Sequence, residues 1–299
     1  MKPEDLFALV QRLNGPMEAL GALAAELRIQ TEGLSPDPAV QRALDAVIAA
    51  LGIELPALAA LPRDAKLAAA GGIAAFLRQA ADVVEHPERE PGWAFTDGAF
   101  LQNQGRMSMS IAHVVATLAP SLGDLASRLD GGPATFLDVG TGVGWLAIAM
   151  ANRFPGLRVL GLDVHDTALR IGRQNVRDAA LEGRIELRHG NVTELAERDA
   201  FDLAFVAAPF LSKDIVPLAL QRTRDALRPG GILLFGTFAT IDDPLATATQ
   251  ALRIVRSGGH PWALLDACAE VSAAGFARAH VVERTWKAPI ALIAAEKAD

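Results

Sequence analysis

Residues 136–144 read Phe136-Leu137-Asp138-Val139 and then Gly140-Thr141-Gly142-Val143-Gly144, so an apolar, β-prone run turns at once into three glycines at alternate positions. Leu146 to Phe154 follows with helical composition. A buried strand feeding a glycine-rich turn and then a helix is the entry to a βαβ unit, and the turn is where a ligand can approach the backbone. The spacing also selects the ligand. A dinucleotide fingerprint, G-x-G-x-x-G, needs glycine at position 145, where Trp145 stands. A carboxylate before the loop, Asp138, suits a cationic, amino-acid-like group better than a pyrophosphate.

Four more β-rich runs follow, at Arg158 to Leu162, Ile185 to His189, Leu203 to Ala207 and Ile232 to Gly236, separated by helix-length stretches. With Thr135 to Val139 they imply right-handed βαβ units and a parallel sheet covered on both faces. Gly275 to Val282 and Pro289 to Ala295 have no helix between them, only a loop carrying Trp286. They predict an antiparallel hairpin at the sheet edge.

Upstream the period is helical. Val40, Leu44, Val47, Ile48 and Leu51 form one stripe, with Asp37 and Pro38 as cap and first residue, and Ile73, Leu77, Ala80 and Val84 form another. His86 to Gly98 reads as a linker. From Met107 a further helix places Ile111, Val114, Val115 and Leu118 on one face and His113 nearly opposite. The expected organisation is a helical lid or dimerisation domain over residues 1–130, including linker and pre-core helices, and an α/β domain over residues 131–299.

Charge narrows the partners. The chain of 299 residues carries 28 basic and 35 acidic side chains, a net charge of -7, of which -6 lies in residues 1–130. No cluster of Lys and Arg supplies the basic footprint that nucleic acids require. One cysteine, Cys268, closes no internal disulfide and builds no thiolate metal cage, which favours a reducing compartment; no metal site is expected. The start Met1-Lys2-Pro3-Glu4-Asp5 lacks the basic and apolar regions of a signal peptide, and no uninterrupted apolar run approaches a membrane span. A cytoplasmic protein without a membrane partner is the expectation.

Further polar residues recur at the strand ends. Asp163 closes the second run and is placed to accept from ribose hydroxyls. Gly190-Asn191-Val192 follows the third, where an amide beside an apolar side chain suits an adenine edge and face. Ala208-Pro209-Phe210 follows the fourth, and Leu227-Arg228-Pro229-Gly230-Gly231 turns into the fifth. With these landmarks in order, residues 131–299 resemble the class I S-adenosylmethionine-dependent methyltransferases, of the small-molecule O-methyltransferase type with a helical N-terminal domain. The resemblance implies a Rossmann-like seven-stranded sheet and S-adenosylmethionine as cofactor. It also implies roles. Asp138, Gly140, Thr141, Gly142 and Gly144 would line the methionine part, Asp163 would hold the ribose, and Val164, Asn191 and Val192 would frame the adenine, with Ala208 at the next strand end. Plainer readings stand beside these: tight-turn glycines, and helix caps at Asp163 and Asn191.

Amide and exocyclic-amine methylators of this family carry Asn-Pro-Pro-Tyr after the fourth strand. Here Ala208-Pro209-Phe210 has no amide, and the chain has no tyrosine. Oxygen, as hydroxyl or carboxylate of a small or peptidic metabolite of secondary metabolism, is therefore the expected acceptor. Transfer to nitrogen or carbon, a catalytically silent cofactor-binding protein and a nicotinamide oxidoreductase are the alternatives. A protonated acceptor needs a general base, and His113 and His260 are the candidates, against solvated surface for the first and a helix-start residue for the second. Gln104 and Arg106, in a Q-G-x-x-S segment like that of some bacterial small-molecule methyltransferases, are placed to reach the cofactor carboxylate, against ordinary surface residues. Trp93, Phe95, Phe210, Trp262 and Trp286 would wall an apolar substrate pocket, or else pack as core. Homodimerisation through the helical part completes the expectation.

Overall fold

The computed structural model describes residues 1–239, 242–286 and 288–298, which divide into two units: Met1–Pro87 with Gln102–Met107, and Glu88–Leu101 with Ser108–Asp299. The first is helical, with α1 (Pro3–Glu32), α2 (Pro38–Ala50), α3 (Leu55–Ala59) and α4 (Arg63–Glu85). The Asp37 carboxylate accepts from the Ala39 N–H at 2.7 Å with Pro38 in the first turn, which is the cap the sequence predicts. Of the α2 stripe only Ile48 is buried. On α4 the packed face is not Ile73, Leu77, Ala80 and Val84 but Lys66, Ala70, Gly71, Gly72, Ala75 and Asp82. Small residues win there because backbone comes close: a Cβ on Gly71 would meet the Asn103 carbonyl oxygen at 2.8 Å. Length and composition would let α4 cross a bilayer. Its buried Lys66 donates to the Ala59 carbonyl at 2.9 Å and to Gln30 Oε1 at 3.2 Å.

Glu88 to Gly98 of the expected linker, and the helix after Met107, belong to the α/β unit, so the division differs from the expected boundary at 130. Helix α5 (Gly98–Arg106) straddles the division, and α6 (Ser110–Leu118) and α7 (Leu125–Gly131) precede the sheet. The reason is packing: Ile111, Val114, Val115 and Leu118 share one core with Phe136, Leu146 and Leu157.

The sheet comprises β1 (Thr135–Val139), β2 (Arg158–Asp163), β3 (Ile185–His189), β4 (Phe201–Ala207), β5 (Leu227–Phe238), β6 (Ala277–Val281) and β7 (Ile290–Glu296). Its order is β3-β2-β1-β4-β5-β7-β6, with the first five strands parallel and β7 antiparallel to both neighbours. Helices α8 (Trp145–Arg153), α9 (Asp166–Asp178), α10 (Val216–Ala226), α11 (Pro244–Arg256) and α12 (Leu264–Ala273) connect the strands. Side-chain alternation sorts the strands into two cores. Phe136, Leu203, Phe205 and Leu234 face one way, and Leu137, Val139, Ala204, Val206 and Phe235 face the other. The expected Leu-Arg-Pro-Gly-Gly turn is the irregular start of β5, with Phe201 opposite Leu227, a register shift before Leu203 and Gly230 at φ 68°.

Candidate active site

Parallel pairing in the order β3-β2-β1-β4 gathers four carboxyl ends along one edge, with β1 in the middle, where strand order reverses. Val139 lies level with Leu162 on one side and Val206 on the other. The chain leaves β1 through Gly140, Gly142 and Gly144 at φ 80°, 56° and 78°. Three left-handed residues at alternate positions are strained for any side chain, which accounts for the glycines. A Cβ on Gly142 would meet nothing within 4 Å, so the loop presents bare backbone to open space. Gly140 and Thr141 donate to the Leu162 carbonyl at 2.8 and 3.2 Å, tying the loop to the end of β2.

Asp163 is the hub of this edge. Its Oδ2 accepts from the Gly142 N–H at 2.7 Å and its Oδ1 from the His165 N–H at 2.9 Å. Burial raises its pKa, against the lowering by those N–H donors. The plainer reading of Asp163 as a helix cap does not describe it: His165 caps α9, accepting at Nδ1 from the Ala168 N–H at 3.1 Å. Asp138, only 2 % exposed, accepts from the Thr141 hydroxyl at 2.8 Å. Burial pushes its pKa to about 7, with the nearby Asp163 charge adding to the rise and the Thr141 hydrogen bond opposing it.

Of the residues expected to frame an adenine, Val164 is 61 % exposed and Val192 is buried. Asn191 is exposed, and its Oδ1 accepts from the Thr193 N–H at 3.0 Å as the cap of a short 3-10 turn. The amide proposed for adenine therefore also serves as the cap. Two residues that the sequence reading passed over hold the loop from behind. A Cβ on Gly172 of α9 would come within 3.0 Å of the Val143 carbonyl carbon, and buried Asn175 donates to the Val143 oxygen at 2.8 Å. A glycine in mid-helix is costly unless something packs on it, and that is the signal that would have singled out Gly172.

Beyond β4 a 3-10 turn, Ala208–Phe210, lies next to the glycine loop: a Cβ on Gly140 would sit 3.9 Å from that of Ala207. Ala208 is fully buried and Phe210 is 39 % exposed. Two segments converge on this turn. Trp93 meets Phe210 edge to face at 5.4 Å, Phe95 edge-on at 5.5 Å and Phe100 at a tilt at 5.8 Å. This strap is pinned by the Gly92 N–H donating to the Arg256 carbonyl at 3.0 Å and by Arg256 donating to the Arg89 carbonyl at 2.9 Å. The loop after α11 is pressed on the same turn, since a Cβ on Gly259 would fall 1.9 Å from the Pro209 oxygen. Half-buried His260 follows, its ring 4.6 Å from that of Trp262.

The remaining expected site residues have the following surroundings. His113 is exposed on α6, opposite the buried stripe. Trp286 is not in the aromatic group: its indole N–H donates to the Ile290 carbonyl at 2.9 Å, and it packs on the core of one sheet face while Trp262 belongs to the other. Gln104 and Arg106 belong to the helical unit, where Gln104 accepts from Gln79 at 3.5 Å. Burial holds the Arg106 guanidinium below its ordinary pKa, opposed by the charge of Glu32 and assisted by those of Arg63 and Arg28. No group of three or more His, Cys, Asp or Glu side chains that could hold a metal ion occurs among the described residues.

The donor set fits S-adenosylmethionine better than a dinucleotide. Each oxygen of Asp163 has accepted one N–H and keeps capacity for a ribose hydroxyl, and buried Asp138 stands by the loop where a cation would go. Residues 136–231 match the family described as a methyltransferase domain. Among curated relatives, a tRNA1(Val) (adenine(37)-N6)-methyltransferase of Vibrio campbellii is 32% identical over 76 residues, 25% of this chain and 32% of that protein. A release factor glutamine methyltransferase of Enterococcus faecalis is 35% identical over 81 residues, 27% of this chain and 28% of that protein. The chain thus spans about a third of the length of these relatives. Solved structures match end to end. Human N-acetylserotonin methyltransferase in complex with SAM aligns with a TM-score of 0.66 at 15% identity over 100% of both chains. The mitomycin 7-O-methyltransferase MmcR aligns with a TM-score of 0.64 at 18% identity over 99% of this chain and 97% of its own. By the match over residues 136–231 and by fold, the α/β part of this chain is similar to the methyltransferase domains of class I.

Proposed function

We propose that this chain transfers a methyl group from S-adenosylmethionine to an oxygen of a small metabolite. The observation that carries the reading is the carboxyl edge of β1 and β2, where Asp163 receives the Gly142 N–H at 2.7 Å and Asp138 lies buried beside the same loop. When bound, the cofactor supplies an electrophilic methyl group on a positively charged sulfur. The chain supplies position. Asp163 takes the ribose hydroxyls, Val164 and Val192 flank the adenine, and bare loop backbone with Asp138 receives the amino-acid end.

Displacement at a methyl carbon is in line, so holding the acceptor against the cofactor in a water-poor pocket gives the largest gain. Trp93 and Phe210 wall the side next to the loop. His260 is the imidazole that the loop after α11 carries to the turn beyond β4, and it is our choice of base for a hydroxyl acceptor. Oxygen is favoured by Ala208-Pro209-Phe210, which lacks an amide to hold an amine, and by full-length likeness to a 7-O-methyltransferase. Transfer to nitrogen is the second reading, since the curated relatives methylate adenine N6 and glutamine; their likeness covers only about a quarter of the chain.

Dimerisation through the helical unit is part of the proposal. Leu6, Val10, Leu13, Met17 and Leu20 recur at steps of three and four along α1 and are about half exposed, an apolar seam of the kind that pairs helices. Single, half-buried Cys268 supports a reducing, cytoplasmic setting. The test is equilibrium dialysis with S-adenosylmethionine and its demethylated product, then transfer of labelled methyl to a panel of phenols, alcohols, carboxylates and amines. Lack of uptake would end the cofactor reading, and label found only in amines would end the oxygen reading.

A further inference from the structure

Three side chains of the α/β unit meet beside the turn after β4 without any role in cofactor binding. Lys213 stands three residues past Phe210, and its ammonium lies 5.8 Å from the centre of the Trp262 ring. Lys213 is exposed and no carboxylate pairs with it among the described residues; adjacent Asp214 is engaged by the Ser212 hydroxyl. Trp262 is only 8 % exposed, yet its indole N–H meets no acceptor among the described residues. His260 closes the group, edge-on to Trp262 at 4.6 Å and 77°. Gly259 fixes the start of this segment, because its contact with the Pro209 backbone leaves no room for a side chain.

The buried indole N–H is short of one acceptor, and the exposed ammonium beside the same ring is a cation that no carboxylate neutralises. The turn on which Gly259 rests carries Phe210, whose ring meets Trp93 edge to face. We infer that Lys213 and Trp262 recognise a carboxylate on a planar aromatic methyl acceptor, whose ring lies along Phe210 and whose hydroxyl, not its carboxylate, is presented to His260. Lys213 then acts as a specificity residue. Its charge selects acidic acceptors over their neutral analogues, since a carboxylate gains a charge-assisted hydrogen bond where a carboxamide gains an ordinary one. The inference rests on the proposed methyl transfer for the role of the hydroxyl and of His260, and not for recognition of the carboxylate.

The test is binding of hydroxybenzoate, hydroxynaphthoate and hydroxycinnamate, each against its carboxamide, to the full-length protein with and without S-adenosylhomocysteine, followed by calorimetry and tryptophan fluorescence. The expected result is a preference for the carboxylates of about tenfold, abolished in Lys213→Met, kept in Lys213→Arg and reduced in Trp262→Phe. Affinity for S-adenosylhomocysteine is unchanged in all three variants, which also shows that they fold. Equal or absent binding of the carboxylates, or a preference that survives Lys213→Met, overturns the inference. A carboxylate preference in a protein that takes up no S-adenosylhomocysteine overturns the cofactor reading and leaves this one standing.

Discussion

The Gly142 N–H donates to Asp163 Oδ2 at 2.7 Å, so the carboxylate at the end of β2 also clamps the glycine loop at the end of β1. One side chain thereby shapes the loop, and in the proposed function its remaining lone pairs take the ribose hydroxyls. Asp163→Ala should lower affinity for S-adenosylmethionine by roughly 1.5 to 3 kcal/mol, the order of a hydrogen bond to a charged group. Calorimetry reads the loss and circular dichroism the retained fold; unchanged affinity removes Asp163 from the site.

Asp138 sets a pH dependence. Its folded pKa of about 7 lies above the ordinary 3.8, so the folded state holds a proton that the unfolded chain releases. The resulting stability is present below about pH 4 and is lost as pH rises toward 7. Asp138→Asn should flatten that part of the stability profile in denaturant titrations at a series of pH values. Binding runs the other way: a cationic ligand favours the carboxylate, so S-adenosylmethionine should gain on its neutral-sulfur product as pH passes through 7. A constant ratio of the two affinities would count against Asp138 facing the sulfonium end.

Gly172→Ala offers a test of opposing effects. In an exposed helix the change gains about 1 kcal/mol. Here the new Cβ would lie 2.8 Å from Leu187 Cδ1 and 3.0 Å from the Val143 carbonyl carbon, and backbone cannot yield as a flexible side chain does. The variant should be less stable by roughly 1 to 3 kcal/mol and bind the cofactor more weakly. A raised melting temperature with unaltered affinity would show that α9 does not brace the loop.

The two histidines should separate by rate. His260→Ala is expected to lower turnover of a hydroxyl acceptor about 10²- to 10⁴-fold, with cofactor affinity kept. His113→Ala, exposed on α6, should leave turnover unaltered. Steady-state kinetics on both variants decides, and full rate in His260→Ala dismisses it as the base.

Much of this is legible in the chain itself because it depends on neighbours in sequence. The strands at Thr135–Val139 and Ile185–His189 are where the apolar runs put them, and the glycines of the first loop stand at the residues whose φ is positive. Strand ends bearing Asp163 and Asn191 follow from the same alternation, since in a parallel sheet every such end falls on one edge. The helical part is less legible. The stripe assigned to α4 is displaced by its own glycines, because close approach of backbone depends on which partner arrives, here Asn103 and Met107.

What the sequence by itself determined is the class of fold and the edge where a nucleoside cofactor would bind, because periodicity and a glycine at a left-handed position are local properties of backbone. Only the tertiary structure decided which distant segments close over that edge. It turned the expected linker into a strap carrying Trp93 to Phe210, brought His260 and Trp262 to the turn after β4 through Gly259, and left Trp286 on the other face of the sheet. Those choices rest on contacts between residues far apart in the chain, whose free energy comes from shape and burial and leaves no period to read.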